Sequence, residues 1–237
     1  MEIKVIGTGS RGNSYLVHEG GYTVVLDAGC KFSNVSAANN HNVADISACF
    51  VTHKHTDHAK YIKDFLKHGI PVYTNDETIE NYGEKNFMLK SIQVQKVIYI
   101  DDLRVVAFAV PHDDVMNFAY IIMFPTGRRL LYATDYEYIK FNVNPLKITD
   151  FLIECNHSEE VSDESANYSH VYLGHASLEA TESFLKRSCY SRHVKSITLC
   201  HLSDVNADRE RILTTIRNID ETIRVEIAEN GKEYNYE

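Results

Sequence analysis

Cations are scarce in this sequence. Lys and Arg number 24 against 33 Asp and Glu, a formal net charge of −9 at pH 7. Non-specific attraction to a phosphate backbone needs Lys and Arg, so a chain of this sign does not coat DNA. A nuclease is not excluded, because bound cations and a local basic patch offset the overall sign. Paired cysteines are missing as well. Cys30, Cys49, Cys155, Cys189 and Cys200 are scattered, odd in number and form no CxxC pair. That excludes a disulfide framework and a zinc ribbon. Reduced, buried thiols in a cytoplasmic protein are the expectation.

Long apolar runs are absent. Stretches such as Phe118 to Phe124 fall far short of a membrane span. The start, Met1 to Gly7, has neither the apolar segment nor the cleavage site of a signal peptide. The expectation is a soluble, cytoplasmic protein with no membrane partner. No internal repeat, low-complexity segment or linker is visible, so residues 1–237 are expected to form one domain. Apolar residues at 44% supply a sizeable core, and charged residues at 24% are ordinary for a globular chain.

Histidine, by contrast, is plentiful. There are 12, and several stand beside Asp.

Strands are expected over Ile3–Gly7, Ser14–His18 and Tyr22–Asp27, with Gly20-Gly21 as a hairpin turn between the last two. Ala48 to Thr52 reads as a short strand running into a histidine cluster. His58 to His68 reads as a helix, with Tyr61, Ile62, Phe65 and Leu66 as its apolar stripe and Gly69 as its stop. Pro71 to Tyr73 returns as a strand. Four strands follow: Lys96–Ile100, Leu103–Val110, Phe118–Phe124 and Arg129–Thr134. Asp101-Asp102 and Thr126-Gly127 are the turn signals. Phe151 to Glu154 is another strand. Ser177 is expected to cap a helix through Lys186. Ser196 to Cys200 reads as a strand, Ala207 to Ile219 as a helix, and Val225 to Tyr236 as a hairpin around Asn230-Gly231. Strand meanders with helices at intervals predict sheets covered by helices.

The chemistry concentrates in His53-Lys54-His55-Thr56-Asp57-His58. Side chains two apart on an extended segment share a face, with Cα atoms ~6–7 Å apart. His53 and His55 can therefore grip one ion from one side. Asp57 and His58 follow at the turn into a helix, project elsewhere and can reach a second ion. Imidazole nitrogen and carboxylate oxygen suit zinc, iron or manganese. A two-ion site needs more ligands, each at a strand end. His112 follows Leu103–Val110, Asp135 follows Arg129–Thr134, and His201 follows Ser196–Cys200.

Thr52 to His58 resembles the signature motif of the metallo-β-lactamase superfamily, and His112, Asp135 and His201 arrive in the order that superfamily uses. The resemblance spans Ile3 to the C-terminal segment. It implies an α/β fold, a four-layer αβ/βα sandwich. It implies that His53, His55 and His112 hold one divalent ion and that Asp57, His58 and His201 hold the other. Asp135 would bridge the two, and a hydroxide between the metals would be the nucleophile. Asp27 would support the cluster by orienting a ligand imidazole. The Asp57-His58 pair is typical of the esterase and nuclease branches.

Ser10-Arg11-Gly12-Asn13-Ser14, Asn156-His157, Gly174-His175-Ala176-Ser177 and His201-Leu202-Ser203 together resemble the WalJ (YycJ-like) subfamily, regarded as DNA exonucleases. The implied function is a dinuclear phosphodiesterase with DNA as substrate. The alternative is a hydrolase of small esters, thioesters or lactones on the same scaffold. Zinc is the expected cofactor, with manganese or iron as substitutes. Asp57 and His175 are the candidate catalytic side chains, His175 as general acid or phosphate contact. His157, Asn156, Arg11 and Asn13 are further candidates. Lys186-Arg187 and Arg192-His193-Lys195 form a mild basic stretch that could meet a DNA backbone.

Overall fold

A computed structural model describes residues 1–158, 174–189 and 193–237. One seven-stranded sheet is built from β1 (Glu2–Gly7), β2 (Ser14–Glu19), β3 (Tyr22–Leu26), β4 (Ile46–Phe50), β5 (Val72–Thr74), β6 (Leu89–Ser91) and β14 (Glu233–Asn235). Its spatial order is β14-β1-β2-β3-β4-β5-β6. The other contains β7 (Val97–Ile100), β8 (Leu103–Val110), β9 (Asn117–Met123), β10 (Arg129–Ala133), β11 (Asp150–Glu154), β12 (Ser196–Cys200) and β13 (Arg224–Ile227), in the order β13-β12-β11-β10-β9-β8-β7. Both sheets mix parallel and antiparallel pairs.

Side-chain alternation creates the layers. On β2, Tyr15 and Val17 join Tyr120, Tyr132 and Leu152 of the opposite sheet in the core between the sheets. Leu16 points the other way, to a second core with Phe32 and Val35 of α1 (Phe32–Ala38) and Phe65 and Leu66 of α3 (Ile62–Lys67). On β10, Leu131 and Ala133 face a third core with Phe184 and Leu185 of α5 (Leu178–Ser188) and Ile212 and Ile216 of α6 (Arg209–Arg217). Helix, sheet, sheet and helix are the four layers of the αβ/βα sandwich.

The β2–β3 hairpin forms as expected, with Gly20 and Gly21 at φ of 58° and 85°, values that cost a residue with a Cβ. Ser177 caps α5, its side chain accepting from the backbone N–H of Ala180 at 3.1 Å.

Three expectations need correction. The C-terminal hairpin does not exist: β13 pairs with β12 in one sheet and β14 with β1 in the other. The turn between them crosses the sandwich instead. There Asn230 Oδ1 accepts from the Thr8 N–H at 2.8 Å and the Gly231 N–H reaches Val5 O at 2.8 Å. The helix expected over His58–His68 is two short helices, α2 (Thr56–Ala59) and α3, because the Tyr61 N–H bonds across to Ala28 O at 2.9 Å. The helix expected from Ala207 starts at Arg209, since the Asp208 side chain caps it by accepting from the Arg211 N–H at 3.0 Å. Helices α1 and α4 (Asp76–Tyr82) and strand β6 are additions; short and weakly periodic, they left no clear pattern.

Candidate metal centre

Topology delivers the site. β1, β3 and β4 run the same way, and β8, β10, β11 and β12 share one direction in the other sheet. Thr8 follows β1, Asp27 follows β3, and His53 lies three residues beyond β4. His112 lies two residues beyond β8 and Asp135 two beyond β10. Glu154 ends β11 and His201 follows β12. Parallel elements end at one edge, which is where α/β folds place their ligands. The chain turns sharply there: Asp27, Asp135 and His201 hold φ of 62°, 52° and 53°. Backbone in that region costs on the order of 1–3 kcal/mol per residue and concentrates at functional sites.

Two groups of donors converge. Nε2 of His53 lies 3.0 Å from Nδ1 of His55, and Nε2 of His112 lies 3.2 Å from that same atom. On the other side, Nε2 of His58 lies 3.2 Å from Asp57 Oδ2, and Nε2 of His201 lies 3.7 Å from it. Asp135 Oδ2 stands 2.9 Å from Nε2 of His58, and Asp135 also clusters with His53. Within each of the groups His53/His55/His112, His53/His58/Asp135 and Asp57/His58/His201, the ligand atoms lie within 4.8 Å of one another. All seven residues singled out from the sequence as ligands are thus brought together.

The donor set fits divalent cations. Nε2 of His201 is buried without a hydrogen-bond partner among the described residues, a costly arrangement unless something accepts its lone pair or proton. Three imidazoles with facing nitrogens and no carboxylate wedged between them are what a metal at about 2 Å from each nitrogen requires. Burial holds the pKa of His53 well below 6.5 and depresses those of His55 and His112 as well. They are therefore neutral, the ligating form.

The outer contacts fix the tautomers. Asp27 is fully buried; its Oδ2 accepts from Nδ1 of His58 at 2.8 Å and from Tyr132 OH at 2.5 Å, and its Oδ1 from the Thr52 N–H at 2.8 Å. Nδ1 of His112 donates to Gly174 O at 2.6 Å. In both residues Nε2 is left facing the cluster. Burial opposes charge on His58, but Asp135 and Asp27 outweigh it and raise its pKa. Asp57 and Asp135 resist protonation despite burial. His201 and His58 hold Asp57 down, and the same two histidines are foremost in holding Asp135 down. Gly29 is required because a Cβ there would overlap the Asp57 carbonyl.

His175 enters the site, with Nδ1 2.8 Å from Glu154 Oε1 and 3.1 Å from Asp135 Oδ1. Burial lowers its pKa, but Glu154 and Asp135 reverse this and push it to about 11. Its ring stacks on His201 at 5.2 Å between centroids.

Glu154 is the residue that the sequence reading missed. It is fully buried, accepts from His175, and lies 3.2 Å from Nδ1 of His201; it also accepts the Asp135 N–H. A charged residue closing the apolar run Phe151-Leu152-Ile153 was its signal, the same logic that picked Asp135. Asn13 is more central than a turn residue. It is buried, with Nδ2 3.0 Å from Nε2 of His58 and 3.4 Å from Asp57 Oδ2. Thr8 supports His201, its Oγ1 accepting the His201 N–H at 2.9 Å.

Other candidates lie outside the cluster. Asn156 ties loops together, donating from Nδ2 to His201 O at 2.8 Å. His157 is buried and pairs along the backbone with Ser177. Lys186 and Arg187 sit near the far end of α5, roughly 13 Å along the axis from Ser177, where Lys186 meets Glu182 and Arg187 bonds Ile139 O. They do not join the metal cluster. Arg192 lies outside the described residues.

Residues 22–194 match the sequence model of the beta-lactamase superfamily domain, and the chain belongs to that superfamily. It is a metal-dependent hydrolase of the metallo-β-lactamase fold. Its relatives include the exodeoxyribonuclease WalJ of Streptococcus pneumoniae, 27% identical over 238 residues, covering 92% of this chain and 87% of that protein. The exodeoxyribonuclease YycJ of Bacillus anthracis is 27% identical over 175 residues, covering 68% of this chain and 65% of that one. Among solved structures, the metallo-beta-lactamase fold protein YhfI from Bacillus subtilis superposes with a TM-score of 0.74 at 18% identity, over 98% of both chains. The short form of human tRNase Z does so with a TM-score of 0.67 at 15% identity, over 99% of both. No helix among the described residues is long and apolar enough to cross a membrane.

Proposed function

We propose that this protein is a DNA exonuclease that hydrolyses phosphodiester bonds with two divalent cations. His53, His55 and His112 would hold one ion, and Asp57, His58 and His201 the other. Asp135 would be shared. Zinc suits this histidine-rich set, and manganese or iron suits the same donors. When bound, such a pair lowers the pKa of water toward neutrality and stabilises charge on both the attacking and the leaving oxygens of an in-line displacement.

The observation that carries the reading is the position of Asp135, which clusters both with His53 and with His58 and His201. The exodeoxyribonuclease names of the relatives favour DNA over small esters.

The chain's own residues do the rest. Asp27 and Gly174 O fix the rings of His58 and His112. Asp57 shares the cluster with His58 and His201 and would help hold the cation on that side. His175, oriented by Glu154 at 2.8 Å, would deliver a proton to the leaving oxygen.

The test is digestion of linear 5′-labelled double-stranded DNA by protein reloaded with zinc or manganese, with Asp135→Ala alongside. Metal-dependent release of label by the native protein, reduced more than ~100-fold in the variant, is the expected result. No cleavage with either metal, at about two bound ions per chain, would move the function to small esters, thioesters or lactones.

A further inference from the structure

The segments that form the mouth of the site are rich in carboxylates. Besides the metal-facing Asp57 and Asp135, they carry Asp113, Asp114, Glu137 and Asp204, and the chain as a whole carries −9. Lys54 and Arg11 are cationic side chains on these segments. Lys54 is committed: its Nζ is 2.6 Å from Glu77 Oε1, and Glu77 also accepts the Met116 N–H at 2.6 Å. Arg11 is held loosely. Its side chain is 85% exposed, and Nη2 lies 3.9 Å from Asp204 Oδ2, itself 88% exposed.

The backbone beneath Arg11 is rigid. The Gly12 N–H bonds Gly9 O at 3.0 Å, the Gly9 N–H bonds Asn13 Oδ1 at 2.8 Å, and the Asn13 N–H bonds Asp57 O at 2.7 Å. A Cβ on Gly12 would meet Gly29 O at 2.6 Å, so this loop has one way to pack. Asp204 stands on an equally fixed turn three residues past His201, where the Ser203 N–H bonds Asn156 O at 2.8 Å and Ser203 Oγ accepts the Asn206 N–H at 3.1 Å. Its neighbour Val205 is 88% exposed. One lip of the Asp57/His58/His201 side thus presents a guanidinium, a carboxylate and an exposed apolar side chain, each on an anchored backbone.

We infer that Arg11 is the contact for the phosphate next to the scissile one, and that Asp204 holds Arg11 back until a strand arrives. The inference rests on the DNA reading above. A phosphate one step away from the cations would face the carboxylates of these segments, and a cation that can be given up by its partner would receive it. An exposed guanidinium 3.9 Å from its carboxylate can be, and it grips a phosphate with two parallel hydrogen bonds. The anchored loop limits the ordering cost to the Arg11 side chain. Val205, exposed beside Asp204, would offer an apolar surface to the sugar or base of that neighbouring nucleotide.

The experiment compares native protein, Arg11→Ala and Asp204→Asn, all full length and metal-loaded. The substrates are 5′-labelled duplex DNA over a salt series and bis(p-nitrophenyl) phosphate, a diester with no neighbouring nucleotide. Arg11→Ala should lower kcat/KM on DNA by roughly 10-fold and flatten the salt dependence by about one phosphate contact. The small diester should change less than about two-fold. Asp204→Asn should act with the opposite sign and raise kcat/KM on DNA by about two- to three-fold. Equal DNA cleavage by Arg11→Ala and native protein overturns the inference and leaves the nuclease reading standing. Equal losses on both substrates, or a loss in Asp204→Asn matching that in Arg11→Ala, overturn it too, because the pair would then only brace the loops. Native protein that cleaves the small diester but not DNA overturns both.

Discussion

The buried carboxylate of Glu154 accepts a hydrogen bond from Nδ1 of His175 at 2.8 Å, at the C-terminal end of β11. The same Oε1 lies 3.2 Å from Nδ1 of His201. One residue therefore orients both the proposed acid and one of the proposed ligands.

Glu154→Gln keeps the shape and removes the charge. It should lower kcat on DNA by about 10- to 100-fold with little change in KM, since the groups it orients act in the reacting complex. His175→Ala should lower kcat by roughly 10²- to 10⁴-fold. The double variant should lose less than the product of the two single losses, because part of what Glu154 does passes through His175 and the rest through His201. Additive losses in steady-state kinetics would separate their roles.

Asp27→Asn tests the support of His58. Asn tolerates the left-handed backbone that Asp27 adopts at φ 62°. The effect should therefore come from the lost carboxylate facing His58, Thr52 and Tyr132. Affinity for the more weakly held cation should fall by about 10- to 100-fold in a metal titration. Unchanged affinity with a lowered Tm would assign Asp27 to the core instead.

Metal removal should make stability depend on pH. In protein stripped by a chelator, burial lowers the pKa of His201, but Asp135, Asp57 and Glu154 lift it to about 9. For His175, Glu154 and Asp135 raise it to about 11. A folded pKa above the unfolded 6.5 contributes stability that is complete below pH 6.5 and is lost as pH rises through the folded value. His53, His55 and His112 are lowered by burial, so above pH 6.5 they are neutral in both states and contribute no slope. Tm of the stripped protein should fall between pH 7 and pH 9, by ~2–4 °C for each kcal/mol lost. A Tm that rises over that range in a thermal melt would contradict the charged network.

Much of the site was legible in order along the chain. An apolar strand followed by His or Asp marks a rigid element meeting a loop, and His112, Asp135 and His201 each followed that rule. Glu154 followed it too, but a lone Glu at a strand end looks like any surface carboxylate. Only the packing of α5 and the 174–177 segment over β11 makes it buried.

The C-terminal segment shows the limit most clearly. Asn230-Gly231 between two alternating runs carries the local signal of a hairpin. The chain uses the turn to pass from one sheet to the other, because β13 and β14 each complete an edge and bury apolar side chains there. Non-local burial outweighed a turn preference worth little by itself.

The sequence alone determined the residue types that can bind a cation, their places at strand ends and the alternation that makes two-faced sheets. These are local properties, set by side-chain chemistry and the two-residue period of a strand. The tertiary structure decided which strands run parallel, and so that seven chain segments end at one edge. It also decided which carboxylates are buried beside which imidazoles. Those depend on contacts between residues such as Asp27 and Tyr132, 105 positions apart, and no local pattern encodes a pairing of that range.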